Sequence, residues 1–489
     1  VSENGGDSWS KIPVTNLGLA PRSFVNDIKA DLFDVNTVYV SLDNHKEGDF
    51  SPYLFKSMDK GQTWFSISSN IPKRTLIWRM VQDPVKKNLL FAATEFGIYT
   101  SLNGGKSWQK LDGSPTISFR DLTIQKREND LVAASFGRGF FILDDYSALR
   151  DFTEENLNQK GKLFAPRTAK WFVPRSKIGN TGADYYFAQN PEYGAVFTYH
   201  LADDYKTAED IRRDKEIELN KRNANIPFPG WDALDAERDE EAASVVLTIQ
   251  DDKGNIINKI SKRARDGSHR IAWDFSHFNP YPVSSESPRY NSGGALAKPG
   301  TYQASLSLVQ NGDVTQLDGP VSFDVKAIYD GVLKGISYEE YNSYLNEVSE
   351  LYNGISAVED VLSESIKMQK AMVNALKKAK ILPGSIEPKI AELKADLIRI
   401  KKSLSGSPSK SEVGEKNPSG LDNYLYNATP GLRNSYGPTP LHMKSLEIAK
   451  KLLSDLRKEV TSINNIQIPE IEKALKEAGA PYIMGQGID

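Results

Sequence analysis

The sequence predicts a mainly β protein with an α-helical C-terminus: part of a β-propeller, then a β-sandwich, then an antiparallel helical bundle. Three observations carry that prediction. The pattern Ser-x-Asp/Asn-x-Gly-x-Ser/Thr-Trp recurs from Ser2, Ser57 and Ser101. A repeat of roughly 45–55 residues means one supersecondary unit per copy, as in the blades of a propeller. Through residues 184–330 short apolar runs alternate between turn residues, the mark of half-buried strands. After Asp330 the apolar spacing changes to i, i+3/i+4, the mark of amphipathic helices.

Composition narrows the function classes. A chain of 489 residues is too long for one core and fits about three domains. A net charge of −3 gives no basic field for nucleic acid. The absence of Cys excludes disulfides, thiol catalysis and Cys-ligated zinc. The five His residues show no ligand spacing, so no metal site is expected. No phosphate loop or G-x-S-x-G elbow is present, and no cofactor is expected. No apolar run is long enough to span a membrane.

The repeated motif has a mechanical reading. Asp or Asn accepts backbone hydrogen bonds within its own turn, Gly supplies positive φ, and Trp fills the space beneath. The residues in these roles are Asn4, Gly6 and Trp9, then Asp59, Gly61 and Trp64, then Asn103, Gly105 and Trp108. The three copies resemble the Asp-box (BNR repeat) of sialidase-type and sortilin-type propellers. That resemblance implies a structural role for the boxes, on the periphery and away from the ligand face.

Residues 1–150 are read as the last blades of an Asp-box propeller. Each blade opens with Arg near its first strand, at Arg22, Arg79 and Arg120. Glu95 and Arg138 follow second strands at matching places, and Asp43 and His45 follow the equivalent strand of the earlier blade. Arg22, Arg79, Arg120, Glu95, Arg138 and His45 are the candidate ligand face of the channel. Arg forks suit carboxylates, so one reading is a carboxylate or peptide site. The other is that these Arg residues pair with acids of neighbouring blades and brace the ring.

Residues 151–183 read as a linker with one strand, Gly161 to Arg167. The run Phe136 to Asp145 followed by Leu163-Phe164-Ala165-Pro166-Arg167 resembles the close of the last blade in large bacterial proteins labelled sortilin-like or glycosyl-hydrolase-like. Residues 184–330 hold the sandwich, with a charged, solvated insertion near 203–243. Its Ile271-Ala272-Trp273-Asp274 strand and Pro299-Gly300-Thr301-Tyr302 strand resemble the flagellar-hook-capping type of immunoglobulin-like domain, which implies a core role for Trp273. Residues 331–481 hold three amphipathic helices. Ser337 and Glu340 form a capping box, and Thr439-Pro440 opens the last helix. Gly354 is a candidate interruption of the first. The polar stretch 403–440 is expected to be a mobile or surface-draped loop, with Tyr424-Leu425-Tyr426 as an exposed contact.

Two functions follow as expectations. The first is a non-catalytic, extracytoplasmic binding or scaffold protein of a bacterium, engaging a protein, peptide or glycan partner, with no nucleic acid and no membrane span. The localisation comes from the resemblance. Because the chain opens inside a box, further blades and an export signal are expected upstream. The alternative is a glycoside hydrolase on the channel face. Its carboxylates by type are Glu95, Asp43 and Asp83, although the Phe/Tyr-Arg-Ile-Pro motif of sialidases is not present.

Overall fold

The computed structural model describes residues 1–174, 188–279, 283, 294–329, 331–332 and 334–484. The chain is mainly β in its N-terminal region, with several antiparallel sheets, and helical in its C-terminal region.

Strands β1 (Phe24–Ala30), β2 (Val38–Asn44), β3 (Asp49–Ser57) and β4 (Phe65–Ser66) form one antiparallel meander. Strands β5 (Ile77–Gln82), β6 (Leu90–Thr94), β7 (Gly97–Ser101) and β8 (Gln109–Lys110) repeat it. The third sheet has three strands, β9 (Phe119–Gln125), β10 (Asp130–Ser135) and β11 (Phe140–Leu143). The run Leu89-Leu90-Phe91-Ala92-Ala93 is apolar on both faces because its sheet lies between the other two. Leu90 and Ala92 pack with Tyr39, Leu54 and Ile67 of the first sheet. Leu89, Phe91 and Ala93 pack with Phe119, Leu122 and Leu131 of the third. Burying a ring such as Phe91 contributes about 1.5–3 kcal/mol.

The linker is not a bare connection. After helix α1 (Glu154–Leu157), β12 (Gly161–Phe164) pairs with β14 (Ala195–Leu201), and β13 (Ala169–Trp171) runs parallel to the last strand of the region. β12 falls within the strand expected from Gly161 to Arg167, whereas β13, three residues long with its partner far along the chain, leaves no signal in the sequence spacing. Helices α2 (Ala208–Lys221) and α3 (Trp231–Asp239) occupy the charged insertion. Strands β15 (Ser244–Asp251), β16 (Ile256–Arg263), β17 (Gly267–Trp273), β18 (Gly300–Gln310) and β19 (Asp313–Ala327) complete two sheets, ordered β12-β14-β17 and β13-β19-β18-β15-β16. One core lies between them. Phe197 and Trp273 of the smaller sheet meet Phe323 of the larger at centroid distances of 5.0 and 6.1 Å.

The helical region starts at α4 (Tyr338–Leu376), whose Ser337 and Glu340 form a capping box. Then come α5 (Glu387–Ser405), α6 (Pro408–Glu412), α7 (Leu421–Ala428), α8 (Pro440–Ser462) and α9 (Ile468–Glu477). Gly354 does not interrupt α4. A Cβ there would stand 2.6 Å from Leu453 Cδ2 and 2.2 Å from Arg457 Nη2, so glycine lets α8 approach closely. The stretch 403–440 also departs from expectation. It contains α6 and α7, and Leu421, Leu425 and Leu432 are buried in the helical core. Three well-spaced leucines anchor an otherwise polar segment. Of the aromatic trio's residues, Tyr426 is exposed, Tyr424 is half-buried and Leu425 is buried. A π-helical turn, Ile463–Gln467, joins α8 to α9. It precedes Pro469, which lacks the N–H that a regular turn would donate.

Candidate functional site

The β1 start, the β2 end and the β3 start share one end of the first sheet, since Phe24 lies opposite Asp43 and Asn44 opposite Asp49. Ile77 opposite Thr94 and Phe119 opposite Ser135 set the same end in the other sheets. The loops there carry His45, Glu95, Phe96, Phe136 and Arg138. The hairpins of the repeated motif lie at the opposite end, between β3 and β4 and between β7 and β8.

The first strand of each sheet carries a β-bulge near this end. The extra residues are Asn26, Trp78 and Arg120. A bulge re-aims its side chain, and here it ties neighbouring sheets together. Asn26 Nδ2 donates to the Ile77 carbonyl at 3.3 Å, and Ser41 Oγ donates to the Trp78 carbonyl at 3.1 Å. Trp78 Nε1 donates to Glu95 Oε2 at 2.9 Å, and Ser118 Oγ donates to the same oxygen at 3.0 Å. The Arg120 guanidinium lies 3.6 Å from the Trp78 ring centre and 4.9 Å from that of Phe136. Its Nη2 is 3.9 Å from Glu95 Oε2. The His45 ring meets Trp78 edge-on at 5.9 Å and bonds Asp43. Asp43, His45, Glu95 and Arg120 are therefore brought together, with Trp78 at the centre.

The three arginines do not share a register. Arg22 precedes β1, Arg120 is a bulge residue, and Arg79 follows a bulge. The residues equivalent to Arg79 are Asp27 and Asp121, because Asp27 pairs with Ser41 and Asp121 with Ala134 as Arg79 pairs with Ala93. Arg120 thus lies one residue, and Arg22 five residues, before the position equivalent to Arg79. Arg79 Nε lies 3.0 Å from Asp121 Oδ1, yet the N–H points off that line, so the contact is an ion pair without a hydrogen bond. Arg22 and Arg138 are exposed and pair with no acid among the described residues.

Asp83 is not at this end. It is fully buried behind the opposite end, bound by Arg150 Nη2 at 2.8 Å, Tyr146 Oη at 2.7 Å and Val85 N at 2.8 Å. Burial raises its carboxyl, but Arg150, the Lys86 backbone and Tyr146 outweigh that and hold it below the usual range. Asp31 repeats the device in the first sheet, with Tyr39 Oη at 2.7 Å and Phe33 N at 2.8 Å. The sequence signal was an Asp directly after the first strand of each of these two sheets, some residues before the next apolar run.

The boxes hold themselves. Ser57 Oγ donates to Asp59 Oδ1 at 2.8 Å, Asp59 Oδ1 accepts from Thr63 N at 2.8 Å, and Gly61 N donates to Ser57 Oγ at 2.8 Å. These bonds, led by that from the Thr63 hydroxyl, hold the Asp59 carboxyl down to about 2. Asn103 and Asn4 accept from Ser107 N and Ser8 N at 2.9 and 3.0 Å. The three tryptophans differ. Trp108 is buried and reaches the first sheet, donating to the Ile67 carbonyl at 2.6 Å. Trp64 is half-buried and Trp9 is exposed, and each bonds back within its turn, to Gly61 and Gly6. Gly105 has φ +91°, and a Cβ there would meet Ile67 at 2.9 Å.

Among the described residues no group of His, Asp and Glu could hold a metal, and no helix is long and apolar enough to cross a membrane.

No family model matches the sequence, and no curated protein matches it. Several solved structures match parts of it. A GH74 xyloglucanase from Xanthomonas campestris aligns over 22% of this chain and 18% of its own, at 14% identity and a TM-score of 0.19. A GH74 enzyme from Niastella koreensis aligns over 25% and 29%, at 12% identity and a TM-score of 0.21. An ancestral GH74 enzyme aligns over 63% and 39%, at 15% identity and a TM-score of 0.21. The chain thus spans well under half the length of each. The likeness to GH74 enzymes is distant, and at these scores it supports no conclusion about chemistry.

Proposed function

We propose that the three N-terminal sheets are blades of an Asp-box β-propeller that serves as a binding platform, followed by an immunoglobulin-like sandwich and a helical bundle. The protein is read as non-catalytic and extracytoplasmic. Its strand-loop end engages a protein, peptide or glycan partner, and the bundle extends the scaffold of a cell-surface complex. The observation that carries this reading is the placement of Arg22 and Arg138, exposed and without acids, on the same end as the exposed rings of Phe96 and Phe136. Cations left without internal partners beside exposed aromatics are what an interface offers its ligand. Arg79 and Arg120, by contrast, are engaged within the protein and fit the bracing role.

The test is a binding screen of the full chain against peptide and glycan arrays. Replacing Phe136 and Arg138 by Ala should weaken any selected ligand about tenfold or more, while Lys106→Ala in the third box should not. Equal binding by both variants would overturn the placement of the site.

A glycoside hydrolase remains the second reading, favoured by the presence of two carboxylates, Asp43 and Glu95, on this end. Each is held by donors, His45 for Asp43 and Trp78 with Ser118 for Glu95. Sugar release that disappears in Glu95→Gln with folding intact would establish it.

A further inference from the structure

The third sheet is one strand short of the other two. In the first, Phe65 and Ser66 of β4 pair with Lys56 and Phe55 of β3. In the second, Gln109 and Lys110 of β8 pair with Thr100 and Tyr99 of β7. Among the described residues nothing pairs with the outer side of β11. That edge is bare. Phe140-Phe141-Ile142-Leu143 holds no charge and no proline, and its register with β10 is regular. Phe140 is 77% and Ile142 58% exposed. Edges are commonly blunted by lysine, proline or a bulge, because a bare edge templates pairing.

Register fixes what the edge offers. Phe140, Ile142 and Leu143 take the places of Ile98, Thr100 and Ser101. The Ile98 carbonyl accepts from Leu111 N at 2.8 Å, across to the outer strand. Phe140 and Ile142, two residues apart, therefore turn their N–H and C=O groups to the open side.

A cavity lies in register with this edge. Each hairpin of the repeated motif is seated on the tail of the one before it. A Cβ on Gly61 would stand 2.5 Å from Ile12, and one on Gly105 2.9 Å from Ile67. Trp108 then closes over Ile67 and donates to its carbonyl. The next seat in the series is Leu111, which bonds Ile98 as Ile67 bonds Leu54. After β11, however, the chain continues as Asp144-Asp145 and carries no copy of the motif. Leu111 instead lines a cavity of about 530 Å³ with Leu143, Tyr146, Ala148 and Leu149, and β14 and β17 form its far wall. Leu143 stands at the level of Ser101, one step beyond the Thr100–Gln109 pair, where Trp108 enters in the second sheet.

We propose that β11 and this cavity form a strand-addition site for an extended segment of a partner protein, with an aromatic residue for the cavity and Leu or Ile three positions later. That is the pattern of Trp64-Phe65-Ser66-Ile67 and Trp108-Gln109-Lys110-Leu111, which fill the same place in the sister sheets. The remaining tail of the chain, Trp9 to Ile12, is already engaged. Ser10 exchanges hydrogen bonds with Val1, and Ile12 is seated against Gly61. All three tails are thus in use, in this chain and in any second copy, and the occupant is assigned to a different polypeptide. The added strand runs antiparallel to β11, and its aliphatic residue donates its N–H to the Phe140 carbonyl. Main-chain bonds supply affinity, and the cavity selects the aromatic residue. The site uses none of the residues assigned above to the strand-loop end.

The experiment is fluorescence anisotropy of the full chain with a labelled synthetic peptide of the sequence Gly105–Asp112. Saturable binding is expected. The Trp108→Ala peptide, the Leu111→Ala peptide and a peptide N-methylated at Leu111 should each bind about tenfold more weakly or worse. In the protein, Ile142→Pro removes an edge N–H and Ala148→Trp fills the cavity, and each should weaken the parent peptide about tenfold. Unchanged melting curves would confirm that both variants fold.

No binding up to about 1 mM peptide would overturn the site. Equal binding of the two Ala peptides would overturn the side-chain pattern, and full affinity of the N-methylated peptide would overturn the strand pairing. Binding that survives Ile142→Pro and Ala148→Trp but is lost in Phe136→Ala would place the peptide at the strand-loop end, which overturns this site and leaves the reading of that end standing.

Discussion

Trp108→Ala tests whether the tryptophan of the repeated motif fastens one sheet to the next. The side chain is 3% exposed, and its Nε1 donates to the Ile67 carbonyl at 2.6 Å, across the boundary between the first two sheets. A tryptophan buries up to about 250 Å², which at about 25 cal/mol per Å² sets an upper figure of about 6 kcal/mol. Comparable truncations of buried aromatics cost about 3–5 kcal/mol. The freed Ile67 carbonyl adds about 1 kcal/mol if it is not rehydrated. The expected loss is therefore about 4 kcal/mol, reported by the sheets rather than by the helices. Hydrogen exchange of β2, β3 and β5 to β7 is the assay, because a chain with several modules need not unfold in one step. Trp9 is 75% exposed, and Trp9→Ala should stay within about 0.5 kcal/mol of the parent. If Trp9→Ala deprotects the sheets as strongly as Trp108→Ala, the turn alone carries the stability and the cross-sheet argument fails.

Three further outcomes are expected. Arg150→Ala strands the fully buried Asp83 carboxylate, and urea unfolding followed at the N-terminal sheets should show a loss of about 3–5 kcal/mol. His277 has a buried Nε2 without a partner among the described residues, and burial lowers its ring to about 4, opposed by Asp251. The folded form therefore resists a proton that the unfolded chain accepts near pH 6.5. Stability should be complete above about pH 6.5 and fall by about 3 kcal/mol as pH drops toward about 4. His277→Leu should flatten that part of the pH profile, and an unchanged slope would count against the assignment. Gly354→Leu would place its side chain against Leu453 and Arg457. A loss of about 1–3 kcal/mol in helical unfolding by circular dichroism is expected, whereas a neutral result would mean that α8 yields freely.

Much of the local structure could be read in advance because it depends on neighbours in sequence. The box turns close through Ser57, Asp59 and Thr63, all within seven residues of one another. The α4 start follows from Ser337 and Glu340, three residues apart. Strand periodicity exposed the meanders. The candidate site was legible in part, since His45, Glu95, Arg120 and Asp43 do gather at one end. Trp78, at the centre of that cluster, was missed because an aromatic in a strand reads as ordinary core.

The sequence by itself determined the repeat, the turns, the helix starts and the change from strand to helix periodicity, since each is written in residues a few positions apart. Tertiary structure decided the rest. Strand register replaced the apparent arginine repeat with the Asp27, Arg79 and Asp121 row. A distant partner added β13 to the linker beside the expected β12. Burial of Leu421, Leu425 and Leu432 drew a polar stretch into the helical core. In each case the deciding energy comes from contacts between residues far apart in the chain, and spacing along the sequence carries no record of them.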